Sequence, residues 1–281
     1  MKFHNDVFFR MGSTHRVCQD YGLTLCDNNR PCVVISDGCS TAEDSDFGSR
    51  ILARCSRPYI YKDGVSDKVL PSLILASATT CAAALTLPVE SLSATLLIAR
   101  YLEPDLIALL GSIETVVVGD GVVAAHCIAD DSIHCWEYRF PSGAPYYLRY
   151  DIDIATRNGY FQRFGNTYHV IKRILKNMTV VSETILEVNF NGSMVETLVF
   201  DLGRYDTVAV MSDGITSFID KKQISVQLPY ILSEVMGFKN YEGDFVQRRL
   251  KRALKKFELQ EFQHYDDLSI GAIAVTHQGE T

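Results

Sequence analysis

Four aspartates stand at the edges of apolar, strand-like runs, and their chemistry is the clearest functional signal in this 281-residue chain. They are Asp20, Asp37, Asp213 and Asp266, and the second and third each lie in a Ser-Asp-Gly phrase. A carboxylate at a strand end is carried by a rigid support, which suits a site of fixed geometry. Convergent carboxylates repel one another unless cations neutralise them, and hard divalent ions with oxygen ligands meet that need. A pair of such ions can activate a water and clamp a phosphoryl group.

An isolated Asp-Gly pair after a strand usually marks only a turn, because both residues favour turn conformations. Asp120 in "VVGDG" is predicted to be such a turn residue, with a structural role. The four aspartates named above differ because they recur in order, with long helical stretches between them. Their arrangement favours one shared cation site over four unrelated turns.

The composition limits the class of protein. A net charge of −7 and 47% hydrophobic residues indicate a large core and no overall polyanion-binding surface, so nucleic acid is not an expected partner. The eight cysteines form no C-x-x-C pair and match no zinc spacing. Ser, Thr and Pro interrupt the apolar stretch 70–89, which favours a buried helix over a membrane span. Because no export signal is recognisable, we expect a cytoplasmic protein.

Hydrophobic periodicity and turn residues predict strands in hairpins with helices grouped between them, which is typical of an antiparallel α+β fold. Asp120-Gly121 and Asn191-Gly192 are both predicted to be hairpin turns. Residues 141–170 are aromatic and Gly-rich without clear periodicity, and we expect an irregular, flap-like segment there. Further predicted elements are strands at 22–27, 32–36, 133–140, 206–213 and 268–277 and helices at 68–86, 220–236 and 244–259, with one more helix after Ser45.

No linker, charge block or low-complexity run divides the sequence, so residues 1–281 are predicted to form a single domain. Helices covering two stacked sheets fit the number of predicted elements.

Six stretches, taken in order, carry a resemblance to a known family. They are "GSTHRVCQDYG" (12–22), "VVISDGCS" (33–40), "SATLLIA" (93–99), "TVVVGDGVV" (115–123), "VAVMSDGITSF" (208–218) and "YDDLSIGAIAV" (265–275). Together they resemble the metal-dependent serine/threonine protein phosphatases of the 2C type, the PPM family, and its compact bacterial-type subgroup in particular. The resemblance implies a four-layer α/β/β/α sandwich, with two antiparallel sheets flanked by helices and two divalent ions, Mg²⁺ or Mn²⁺, in a cleft at one end. It also implies hydrolysis of phosphoserine or phosphothreonine by metal-activated water, without a phosphoenzyme.

The resemblance assigns roles to individual residues of this chain. Asp37 matches the carboxylate that bridges both metals, and the backbone carbonyl of Gly38 matches a ligand of one of them. Asp213 and Asp266 match carboxylates that complete the other metal site. Asp20 matches the acidic residue of the first motif, which binds a metal directly or through water. Asp267 is expected to hold these ligands in place without binding a metal itself.

Three positions depart from the family pattern. Gln19 is neutral where the first motif often carries Glu, which predicts a more weakly held second metal. The Arg that grips phosphate in many members is His15 here, so Arg16 is assigned that role, because a guanidinium makes bidentate contacts to phosphate. Cys39 replaces the His proposed as general acid, and a thiol could donate a proton, although free Cys more often packs as a small hydrophobe.

The sequence thus predicts a Mg/Mn-dependent phosphatase whose catalytic residues are Asp37, Asp213 and Arg16. Its expected partners are a phosphorylated protein substrate and a cognate Ser/Thr kinase, and we expect a monomer without a membrane partner. One alternative is a catalytically silent 2C-type domain that binds a phosphoprotein or a kinase, motivated by Gln19 and Cys39. Another is a phosphatase for a small phosphorylated molecule. Residues 143–169 are the expected place of substrate contact, because irregular loops beside a rigid site commonly carry specificity.

Overall fold

The computed structural model of the chain describes residues 1–62, 66 and 69–276. Its strands are β1 (Lys2–Arg10), β2 (Asp20–Asp27), β3 (Arg30–Asp37), β4 (Leu96–Leu102), β5 (Ser112–Val118), β6 (Gly121–Cys127), β7 (Ser132–Arg139), β8 (Thr167–Lys176), β9 (Thr179–Asn189), β10 (Glu196–Asp201), β11 (Tyr205–Met211), β12 (Phe218–Ile219), β13 (Gln263–His264) and β14 (Leu268–Thr276). Its α-helices are α1 (Ser45–Ile60), α2 (Leu70–Ala84), α3 (Ile154–Phe164), α4 (Leu228–Met236) and α5 (Phe245–Leu259). Short 3₁₀ turns lie at Val89–Leu92, Leu148–Asp151 and Asp213–Thr216.

Two antiparallel sheets form the centre of the molecule. The seven-stranded sheet has the order β1-β14-β11-β6-β7-β8-β9, and the five-stranded sheet has the order β10-β5-β4-β3-β2. Successive side chains of a strand point to opposite faces of the sheet, so one strand can pack against two layers. Val33 and Ile35 pack between the sheets, whereas Val34 packs on the helical side of its sheet.

Helices cover the outer face of each sheet. Leu52 of α1 and Ile74 of α2 pack with Val34 over the five-stranded sheet. Leu250 of α5 and Ile231 of α4 pack over the seven-stranded sheet. The predicted four-layer α/β/β/α sandwich, with two antiparallel sheets flanked by helices, is therefore confirmed.

Two predicted hairpins are wrong, and one of them contains Asp120, which lies in the site described below. Asp120-Gly121 does not join paired strands, because β5 belongs to the five-stranded sheet and β6 to the seven-stranded sheet. Asn191-Gly192 lies between β9 and β10, which also belong to different sheets. In both cases a turn signal marks a change of direction, but the local sequence does not choose the pairing partner. The β2–β3 hairpin is confirmed, and Asn28 and Asn29 adopt positive φ at its turn, as a tight hairpin requires.

Three further segments differ from the prediction. Residues 141–170 are not irregular, because they contain the Leu148–Asp151 turn, helix α3 and the start of β8. The helix predicted at 220–236 is shorter, since α4 begins only at Leu228, with Pro229 in its first turn. The N-terminal strand β1, which the sequence patterns did not indicate, pairs with β14 along its whole length. Residue 68, at the start of one predicted helix, and residue 277, at the end of the last predicted strand, lie outside the described residues.

Gly48 fixes how closely α1 approaches the Val89–Leu92 turn. A Cβ atom at this position would lie 1.7 Å from the carbonyl oxygen of Ser91. We expect Gly48→Ala to force the helix away from the turn and to lower the free energy of unfolding by about 2 kcal/mol or more, as overpacking of a tight contact does. Urea denaturation at fixed pH measures the change.

Gly159 in α3 offers the matched control, because a Cβ atom there has no neighbour within 4 Å. Gly159→Ala should leave stability unchanged or raise it by up to about 1 kcal/mol, through the higher helix propensity of alanine. Equal effects of the two substitutions would contradict the proposed close contact at Gly48.

Candidate metal centre

Two aspartates meet at one end of the five-stranded sheet. Asp20 begins β2 and Asp37 ends β3, and the two are directly opposite in the antiparallel register. Asp20 has 0% exposure, and Asp37 is half-buried. The side chains are in direct contact, and burial raises the pKa of Asp20 to about 7. A pair of carboxylates on neighbouring strand ends therefore forms the base of the candidate site.

The seven-stranded sheet contributes two more aspartates at the same end of the sandwich. Asp213 follows β11 and Asp266 precedes β14, and these strands are antiparallel neighbours. Asp213 also contacts Asp37 across the gap between the sheets. Burial, followed by the charge of Asp213, raises the pKa of Asp266. The structure thus brings together the aspartates that the sequence predicted as metal ligands.

Asp120 is a member of this cluster that the sequence analysis assigned only a structural role. It lies in the turn that carries the chain from β5 to β6, and hence from one sheet to the other. Burial and the charges of Asp213 and Asp266 raise its pKa. A cavity of about 180 Å³ is lined by Asp120, Asp213 and Arg139. The signal was present in the sequence, because "VVVGDG" also ends an apolar run with an acid.

The electrostatics of the cluster favour a bound cation. Burial raises the pKa of Asp37 well above its usual range, and the charges of Asp20 and Asp213 raise it further. Burial also raises the pKa of Asp213. One oxygen of Asp20 and one of Asp213 are buried without a hydrogen-bond donor among the described residues. Buried carboxylate oxygens that lack donors are suited to hard divalent ions such as Mg²⁺ and Mn²⁺.

Hydroxyl groups hold the strand ends in place. The Ser36 hydroxyl donates to the carbonyl of Thr95 at 2.5 Å, and the Thr95 hydroxyl accepts from the Asp37 backbone N–H at 3.0 Å. The Ser212 hydroxyl donates to Asp20 at 2.8 Å. Both Ser-Asp-Gly phrases therefore use their serine to fix a neighbouring chain and their aspartate to line the site.

Asp267 fixes the loop that precedes β2. Its carboxylate accepts the backbone N–H of Gly12 at 2.7 Å and that of Gln19 at 2.5 Å, and its exposure is 1%. The Gln19 side chain donates to the hydroxyl of Ser45 at 2.8 Å. Asp267 thus orients the segment that leads into Asp20, in line with the supporting role expected for it.

Gly38 and Gly214 follow the two site aspartates and allow close backbone approach. A Cβ atom on Gly38 would lie 2.6 Å from the carbonyl oxygen of Ser45. A Cβ atom on Gly214 would lie 1.8 Å from the carbonyl oxygen of Asp267. Any larger residue would displace these chains, so the glycines are needed for the packing around Asp37 and Asp213. Metal coordination by the Gly38 carbonyl stays a prediction.

His15 and Arg16 have different environments. His15 Nδ1 lies 3.0 Å from Asp267 and Nε2 lies 3.4 Å from Asp266, so the ring is directed towards the acids. Burial opposes its charged form, but contact with Asp267 and the nearby carboxylates outweighs burial and raises its pKa. Arg16 is exposed, and no hydrogen bond or ion pair is recorded for it within the described part of the chain. Its role in binding phosphate stays a prediction.

Tyr147 of the segment 141–170 lies against the site. Tyr147 is buried against Cys39, and burial together with the charges of Cys39 and Asp120 raises its pKa. Burial disfavours the Cys39 thiolate, but hydrogen bonds from Thr41 and Tyr147 outweigh it and lower the Cys39 pKa. The next residue, Leu148, lines a cavity of about 490 Å³ against α2. One part of this segment thus packs in the core, and another part lines the region around the aspartates.

Comparisons with known proteins agree with this description. Residues 12–134 match the family model described as Protein phosphatase 2C. No curated protein matches the sequence at a significant level. No helix in the described ranges has the length and apolar character needed to span a membrane.

Solved structures of bacterial phosphatases superpose on nearly the whole chain. The serine/threonine phosphatase Stp1 from Staphylococcus aureus is 11% identical with a TM-score of 0.56, covering 99% of this chain and 96% of that one. A bacterial serine phosphatase is 11% identical with a TM-score of 0.56, covering 98% and 99%. The PP2C phosphatase domain of SpoIIE from Bacillus subtilis is 14% identical with a TM-score of 0.53, covering 99% of this chain and 64% of that one. This chain has the fold of the bacterial 2C-type protein phosphatases, and the resemblance indicated by its sequence motifs is confirmed.

Proposed function

We propose that this protein is a Mg²⁺- or Mn²⁺-dependent phosphatase that hydrolyses phosphoserine and phosphothreonine in proteins. One observation carries the proposal: both sheets direct aspartates into one buried cluster, in which Asp20 and Asp213 each keep an oxygen without a donor from the described residues. Such a cluster is costly for a fold unless cations neutralise it. The match to the 2C-type phosphatase family supports phosphoester hydrolysis as the reaction.

The residues present fit two divalent ions. Asp37 contacts both Asp20 and Asp213, so its carboxylate would be available to both ions. Asp20 and the Gly38 carbonyl would complete one ion's protein ligands, and Asp213 and Asp266 would complete the other's. When bound, such ions lower the pKa of water and withdraw charge from phosphoryl oxygens.

Side chains of the protein orient the carboxylates and the substrate for this reaction. Ser212 and Thr95 hold the strand ends, so the carboxylates do not have to reorganise when substrate binds. Arg16 is exposed on the loop before Asp20, from which its guanidinium can bind the substrate's phosphoryl oxygens. Tyr147 and Cys39 place a hydroxyl and a thiol beside the acids, and either can give a proton to the departing alkoxide.

We include a phosphorylated protein as the substrate in the proposal, and the exposed surface of α3 supports it. A phosphorylated protein can contact the outer part of residues 141–170, where Ile154 and its neighbours in α3 are exposed. All eight cysteines are free thiols, which suits a reducing compartment, and we include a cytoplasmic location in the proposal. A cognate Ser/Thr kinase is the corresponding proposed partner, because a phosphatase of this class needs a kinase to generate its substrate.

Purified protein should release phosphate from a phosphothreonine peptide in the presence of Mn²⁺. We expect Asp37→Asn and Asp213→Asn each to reduce the rate by at least about 10²-fold, because each removes a charge that holds the ions. Asp27→Asn is the matched control, since Asp27 lies at the opposite end of the same β2–β3 hairpin. Activity that persists in EDTA and in both site variants would refute the proposal.

Asp120→Asn tests whether the turn between the sheets belongs to the functional site. We expect it to reduce Mn²⁺ affinity or activity by about 10- to 100-fold, the range found when groups beside a metal's direct ligands are changed. A Mn²⁺ titration of activity, with calorimetric binding in parallel, distinguishes the two effects. Wild-type values in both measurements would return Asp120 to a purely structural role.

The metal-free protein should lose stability as the pH rises. The pKa of Asp20 is about 7 in the folded chain because of burial, whereas an unfolded-chain carboxyl titrates near ~3.9. Because the folded-state pKa is higher, the associated stability is fully present below about pH 4 and is lost as the pH rises through about 7. We expect Tm in EDTA to fall between about pH 5 and about pH 8, and Mn²⁺ to restore it most at the higher pH.

Asp37→Asn removes one of the repelling charges, so it should flatten this decline and abolish most of the Mn²⁺ effect on Tm. Calorimetric scans of the variant and of Asp27→Asn at both pH values provide the comparison. The same pH slope in wild type and Asp37→Asn would show that the cluster is not the source of the decline.

A further inference from the structure

We propose that the β6–β7 hairpin binds Zn²⁺ or a chemically similar divalent cation between Cys127, Asp130 and His134. This metal site is separate from the aspartate cluster. One ligand atom from each of these residues lies within 4.8 Å of the other two. Ligands at tetrahedral Zn²⁺ distances of about 2.0–2.3 Å are about 3.3–3.8 Å apart, so closure needs side-chain shifts of about 1 Å. These ligands come from eight consecutive residues of one hairpin.

The three ligands are already oriented by other groups. The Ser132 hydroxyl donates to Asp130 at 2.6 Å. His134 Nδ1 lies 3.1 Å from the Tyr205 hydroxyl, a contact that orients the imidazole ring. Cys127 is held at the end of β6 with 4% exposure. Outer hydrogen bonds of this kind orient metal ligands and raise affinity.

The loop that carries Asp130 is also fixed. His126 Nε2 lies 2.9 Å from Asp131, and His126 Nδ1 lies 2.8 Å from Asp206. The backbone N–H of Ile128 donates to the carbonyl of Arg204 at 3.0 Å. The hairpin turn is therefore tied to β11 and to the turn before it, which limits the reorganisation needed for binding.

The donor set selects the class of ion. A thiolate, an imidazole and a carboxylate suit Zn²⁺ and chemically similar ions, whereas Mg²⁺ and Mn²⁺ prefer oxygen ligands. Three protein ligands leave a fourth position for water, and the exposure of Asp130 leaves a path for the ion from solvent. No sequence pattern indicated this set, because its spacing, C-x2-D-x3-H, contains a single cysteine and a single histidine.

Arg204 is a cation that competes with the proposed ion. Its guanidinium contacts the Cys127 thiol and lies near Asp130. The Arg204 side chain is exposed and stacks 5.3 Å from the centre of the Tyr205 ring, so it can move without disturbing the core. Removal of this guanidinium should therefore strengthen cation binding, an effect opposite to that of removing a ligand.

The proposed site is remote from the aspartate cluster. Asp120 precedes β6 and Cys127 ends it, and a strand of seven residues spans about 23 Å. Occupancy of the hairpin site can therefore be measured independently of the cluster, and the inference does not depend on the proposed phosphatase activity.

Titration of the full chain with Co²⁺ tests the proposal, because a Co²⁺ ion bound to a cysteine thiolate gives a near-ultraviolet charge-transfer absorption that oxygen ligands do not give. We expect this band to saturate as Co²⁺ is added, to be displaced by Zn²⁺, and to be retained in Asp37→Asn. It should disappear in Cys127→Ser and persist in Cys26→Ser, a matched change at an exposed cysteine. Absence of the band, or its persistence in Cys127→Ser, would overturn the proposal.

Two further variants keep the test decisive if Cys127→Ser folds poorly. His134→Ala should weaken Co²⁺ binding by at least about 10-fold, and Arg204→Ala should strengthen it several-fold. In addition, Zn²⁺ should raise the Tm of Asp37→Asn but not that of Asp37→Asn combined with His134→Ala. Unchanged Co²⁺ affinity in His134→Ala, or a Zn²⁺ effect on Tm that survives this change, would assign the binding to other residues.

Discussion

Repulsion among buried carboxylates is the constraint on which the rest of this structure depends. Asp37 contacts Asp20 on its own sheet and Asp213 on the other, and burial raises the pKa values of all three. A fold tolerates such a cluster only when its surroundings hold the acids in place and a cation or protons neutralise them. Repulsion among these carboxylates therefore affects both the stability of this end of the sandwich and its tendency to bind cations.

The surroundings meet this constraint with small residues rather than with positive charges. Ser36, Ser212 and Thr95 use short hydroxyl side chains to join strand ends, and the glycines after the aspartates let backbone segments pack closely. His15 contacts Asp266, and Arg139 lines the same cavity as Asp120 and Asp213. The centre of the cluster is thus left for ions taken from solvent.

Local patterns in the sequence predicted much of this arrangement, and the remainder depends on contacts between distant segments. Apolar runs ending in acids identified Asp37 and Asp213, and the continuous apolar run in β3 agrees with a strand that is buried on both faces. Asp120 carries the same signal but was interpreted as a hairpin-turn residue, although the two strands that its turn joins belong to different sheets. Strand pairing is decided by non-local packing, which a turn signal does not encode. Tyr147 was not predicted as a site residue, because its contact with Cys39 joins segments that are distant in the sequence.

The turn between β5 and β6 is a covalent link between the two sheets, and an acid of the cluster lies within it. The spacing of the sheets is set by the side chains between them, including the close approach of Gly271 to Val33. The packing between the sheets therefore also contributes to where Asp120 lies relative to the aspartates of the other strand ends.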